Sequence, residues 1–133
     1  MRLLAIYSLV ILLTSCGDDS FTNSTPNPQP PRTASNVNFH EEGEWQIWKY
    51  FYKFDDTPEV CESFAISLMK EQSSKGTNCV ITKTQFTRFP VGTALPPWFD
   101  VSTVTNGILL SGDDWIYAVV DKERGRLYYY NGH

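Results

Sequence analysis

The chain has 133 residues, a formal net charge of -4 and a pI of about 5.0. That length fits one domain with tails and leaves little room for a multi-domain enzyme. Apolar residues make up 41% and charged residues 20%, so most of the chain can bury a core, and the lack of a basic footprint speaks against nucleic acid as a partner.

The first element is a leader. Met1 and Arg2 precede Leu3 to Leu13, eleven residues without a charge. A bilayer-spanning helix needs about 20 apolar residues, so this run is too short to cross. It has the length of the apolar region of a secretory signal peptide. Small residues then lead into a cysteine, and Leu13-Thr14-Ser15-Cys16 resembles the lipobox of bacterial lipoproteins. The resemblance covers the first sixteen residues. It implies that residues 1–15 are cleaved and that Cys16 becomes a lipidated N-terminus, with the bilayer as its partner. Two or more acyl chains give stable attachment where one gives only marginal binding. Gly17 rather than Asp follows the cysteine. By the resemblance to enteric lipoproteins, this favours the outer membrane facing the periplasm over the inner membrane.

Residues 16–38 form the expected tether. Ser, Thr, Asn, Pro and Asp dominate it, and Phe21 and Val37 are its large apolar residues. Such a segment buries too little surface to offset its ordering entropy, and Pro26, Pro28, Pro30 and Pro31 stiffen it. A globular domain is expected over residues 39–133. Apart from Tyr7 and Phe21, every aromatic residue falls within it.

Within that domain, Glu41, Glu42 and Glu44 read as a solvated acidic approach to the first strand. Aromatic and β-branched enrichment from Trp45 to Phe54 predicts that strand. Trp48, Tyr50, Tyr52 and Phe54 alternate with Lys49 and Lys53, which suggests one buried face, while Phe51 points to partial cover of the other. Asp56, Thr57 and Pro58 mark a helix start. Val60, Cys61, Phe64, Ala65, Leu68 and Met69 form its apolar stripe, with Gly76 as its stop. Cys79 to Phe86 and Phe99 to Thr105 read as strands, with Asn106-Gly107 as a hairpin turn. Strands at Ile108–Leu110, Trp115–Val120 and Leu127–Tyr130 follow. The predicted class is α+β: one helix packed on a mainly antiparallel sheet of five to six strands.

Lipidation of Cys16 would leave Cys61 and Cys79, and outside the cytoplasm these are expected to form a disulfide. A metal pair would need further ligands, and the histidines are His40 and His133. No cofactor motif is present, and no hydrolase elbow, P-loop or zinc-protease motif either. Asp113-Asp114 reads as turn chemistry. Exposed aromatics mark contact sites, and the candidates are Trp98 and Phe99 in a Pro-rich loop and Tyr129 in the last strand. The expected role is that of a non-enzymatic binding or accessory module whose partner is another envelope protein or a glycan. The alternatives are an inhibitor or immunity-type lipoprotein acting on a foreign enzyme or toxin, and a hydrolase without a recognisable motif.

Overall fold

A computed structural model describes residues 28–44, 46–72, 94–112 and 115–132. The elements are β1 (Ser35–Glu44), β2 (Ile47–Asp55), α1 (Pro58–Gln72), a 3-10 turn (Val101–Thr103), β3 (Gly107–Ser111), β4 (Ile116–Asp121) and β5 (Arg126–Gly132). The strands form one sheet in the order β1-β2-β5-β4-β3, and every neighbouring pair is antiparallel. One helix lies on this sheet, an α+β arrangement as the sequence predicts.

Strand alternation decides what each face buries. Tyr52 and Phe54 of β2, Val120 and Ala118 of β4, and Leu127 and Tyr129 of β5 meet Cys61, Ala65, Leu68 and Met69 of α1 in the first core. Phe51, Val119, Tyr128 and Tyr130 point the other way into a second core. No helix is found on that side among the described residues. Instead residues 95–104 cover it, with Phe99, Val101 and Val104 inserted and Leu95 and Trp98 packed around them.

That cover corrects the strand expected over Phe99–Thr105. Asp100 accepts hydrogen bonds from the Ser102 amide at 3.1 Å and the Ser102 hydroxyl at 2.5 Å. This capping closes the short Val101–Thr103 turn. Burial of Val101 and Val104 over the sheet outweighs their preference for a strand. Asn106-Gly107 therefore leads into β3 instead of joining two strands, and β3 pairs with β4.

A second correction concerns the acidic residues. Glu41, Glu42 and Glu44 belong to β1, which begins at Ser35, ahead of the expected boundary at Phe39. β1 is an edge strand, and charged side chains on an edge discourage pairing with other chains. Their low strand propensity hid the element. Residues 28–34, assigned to the tether, lie at the domain: the Thr33 hydroxyl donates to Asp56 at 2.6 Å. The strand expected at Cys79–Phe86, and Gly76, lie outside the described residues.

The corner from β2 into α1 holds several segments together. Thr57 Oγ1 accepts from the Val60 amide at 3.3 Å and caps the helix. The Asp56 amide donates to the Gly125 carbonyl at 2.9 Å. Gly125 has φ +64°, and a Cβ there would sit 2.1 Å from the Asp56 carbonyl oxygen, so both the conformation and the approach require glycine. Asp55 accepts two bonds from the Arg126 guanidinium and one from the Asn36 side chain at 2.9 Å. β1, β2 and β5 are thus joined at one carboxylate.

The Arg126 hydrogen bonds, ahead of an opposing burial effect, hold the Asp55 carboxyl below its ordinary value of 3.8. Because the folded value is depressed, this stabilisation is complete above the unfolded value and is lost as pH falls through the folded one. Asp55→Asn should cost about 1–3 kcal/mol at neutral pH. Its stability should also fall less than wild type between about pH 5 and pH 2 in denaturant melts. Parallel acid profiles for the two proteins would remove Asp55 from the acid response.

Candidate functional site

Antiparallel register arranges the side chains under α1 in rows. Phe39, Tyr52, Tyr129 and Ala118 are successive partners across β1, β2, β5 and β4. Glu41, Tyr50, Asn131 and Ile116 form the next row. α1 packs chiefly on β3, β4 and β5. The β1–β2 end of both rows is left with less helix above it, and a cavity of about 400 Å³ opens there. That volume lies in the range of small-molecule sites.

The floor of the cavity is aromatic: Phe39, Tyr50, Tyr52 and Tyr129. Phe39 and Tyr52 meet edge to face at 5.7 Å, and Phe39 and Tyr50 lie 6.3 Å apart. Leu68, Glu71 and Gln72 of the last helical turns form one wall. Pro28 and Asn131 complete it. Glu41, Glu71 and Gln72 are exposed and mark the mouth.

The polar atoms are unevenly satisfied. Asn131 donates to Gln72 Oε1 at 3.4 Å. Burial, then the hydrogen-bonded Glu41 carboxylate, raises the Tyr50 phenol above its ordinary 10.0. Tyr52 and Tyr129 are 1% and 4% exposed, and the hydroxyl of each is buried without a hydrogen-bond partner among the described residues. Burial pushes both phenols well above 10.0, so they are neutral at physiological pH. Asn131 lies near the Tyr129 hydroxyl and opposes that rise, without closing a bond of normal geometry.

The three residues expected at a contact surface separate here. Phe99 is 1% exposed and packs edge to face on Phe51 and Tyr128 at 5.6 and 5.4 Å. It is a core residue, because the second sheet face needs large side chains to close it. Trp98 is half-buried against the same core, with its indole nitrogen buried and unbonded among the described residues. Tyr129 is also buried, so it offers no exposed contact, yet it lines the cavity on the opposite face. Among the described residues the exposed tryptophans are Trp48 and Trp115.

Cys61 is wholly buried in the first core and forms no disulfide among the described residues. Burial pushes its thiol up to about 11. Its expected partner Cys79, the expected lipidation residue Cys16, Asp113-Asp114 and His133 lie outside the described residues. His40 is buried in β1, stacked on Phe51 at 6.2 Å and 3.5 Å from Glu42. Among the described residues no three His, Cys, Asp or Glu side chains converge on a metal position. No helix among them is long and apolar enough to cross a membrane.

The cavity was not legible in the sequence. Its lining comes from β1, β2, β5 and α1, which only register and packing bring together. The available signal was a surplus of tyrosine on strand positions facing the helix. No protein-family model, curated protein or solved structure matches the chain.

The unbonded hydroxyls make a clear expectation for stability. A buried hydroxyl without a partner costs about 1–3 kcal/mol. Tyr52→Phe and Tyr129→Phe should therefore leave the unfolding free energy unchanged or raise it by about 1 kcal/mol each. A loss of that size in urea melts would show that the hydroxyls are bonded in the folded protein.

Proposed function

We propose that the chain is a lipid-anchored protein of the bacterial envelope whose domain is a non-enzymatic binding module, with the cavity beside α1 as its binding site. The observation that carries this reading is the pair of Tyr52 and Tyr129 hydroxyls, buried and unbonded among the described residues, in the wall of a cavity of about 400 Å³. A fold that needed only a core at these positions would do better with phenylalanine. An occupant that bonds both hydroxyls removes their cost, so the same groups favour binding.

The lining supports binding over catalysis. It contains carboxylates, amides and neutral phenols, and no Ser, Cys, His or Lys among the described residues. A Ser–His or Cys–His pair, or a lysine nucleophile, needs such groups. The anchor half of the proposal rests on the ordered leader ending at Leu13-Thr14-Ser15-Cys16. Placement on the outer membrane facing the periplasm rests on Gly17.

The two halves are tested separately. Cys16→Ser should shift the chain out of the membrane fraction or leave its leader uncut. A processed chain whose intact mass carries no acyl group would overturn the anchor. For the site, thermal melts of the lipidated protein are run against anionic, neutral polyol and cationic small molecules. At least one class should raise the melting temperature of wild type, but not that of the Tyr52→Phe/Tyr129→Phe variant. Equal response of both proteins to every class would remove the cavity as the site.

A further inference from the structure

We infer that the cavity takes a primary ammonium group carried on a small apolar or planar body. This rests on the cavity being a binding site and names the ligand class that its lining fits. Two carboxylates, Glu41 and Glu71, stand at the mouth. No Lys, Arg or His lines the cavity among the described residues. An anionic ligand meets two like charges there and no compensating cation among the described residues.

The interior distinguishes among the remaining classes. A primary ammonium has three donors and no acceptor. Oxygen acceptors for them stand at the Tyr52 and Tyr129 hydroxyls, both buried and unbonded among the described residues. The Glu41 and Glu71 carboxylates add charge-assisted partners. A quaternary ammonium carries no donor and would leave both hydroxyls unsatisfied. A polyol could use the donor and acceptor sites of both phenols, but it gains nothing from the charges of Glu41 and Glu71, which favour a cation. The aromatic floor attracts a cation through its ring faces and covers an apolar body. Both effects act on the same molecule.

The test uses phenethylamine as the probe on the full lipidated protein, with calorimetry and thermal melts as readouts. 2-Phenylethanol replaces the ammonium by a hydroxyl on the same body. Phenethylamine should bind saturably, and 2-phenylethanol about tenfold or more weakly. Glu41→Gln/Glu71→Gln should weaken phenethylamine by a similar factor and leave 2-phenylethanol unchanged. Phosphoethanolamine carries the same ammonium on an anionic phosphate in place of the apolar body, so it should bind about tenfold or more weakly than phenethylamine. Binding as tight as that of phenethylamine would overturn the apolar body as part of the ligand. Equal binding of phenethylamine and 2-phenylethanol, or binding of glucose but not of phenethylamine, would overturn this inference and leave the binding module standing. No binding by phenethylamine, 2-phenylethanol or glucose would overturn both.

Discussion

A single helix cannot cover a five-stranded sheet. Strand spacing puts the outer strands about 19 Å apart, while a helix with its side chains is about 10 Å wide. α1 settles on β3, β4 and β5, where Ala118 and Val120 allow close approach. Among the described residues, the side of that face toward β1, with Phe39 and the Tyr50 end of β2, has less helix above it and carries large aromatic side chains. They fill part of the space that a second helix would occupy, and the rest is the cavity. On the reverse face no helix is found among the described residues, and residues 95–104 close it with Phe99, Val101 and Val104.

The corner at Asp55 and Asp56 holds these layers in register. Asp55 binds Arg126 and Asn36 through its side chain, so β1 and β5 are fastened to the same end of β2. Asp56 receives Thr33 on one side and bonds to Gly125 on the other. Charge-assisted bonds of this kind are shorter and stronger than neutral ones. They set the start of α1 relative to the sheet, and through it the position of Leu68, Glu71 and Gln72 over the cavity.

The binding proposal follows from this geometry more than from any one residue. Tyr52 and Tyr129 are direct partners across β2 and β5, and Tyr50 and Asn131 are partners one row on. A one-residue slip of register would send all four to the opposite face. The site is therefore as well specified as the sheet itself.

Local chemistry determined much of what was readable in the sequence. The helix shows its cap and apolar stripe, and β2 shows alternation of Trp48, Tyr50, Tyr52 and Phe54 around Phe51. Each is a property of neighbouring residues, and each could be read without a fold. β1 was hidden because an edge strand bearing glutamates looks like a solvated segment. The Phe99–Thr105 region was misread because its valines suit a strand equally well. Whether Trp98, Phe99 and Tyr129 faced solvent or core could not be decided from composition. Tertiary structure decided it: one helix too narrow for its sheet left one face to be closed by a loop and the other to keep a cavity. Burial depends on what packs above a side chain, and that partner comes from a distant part of the chain.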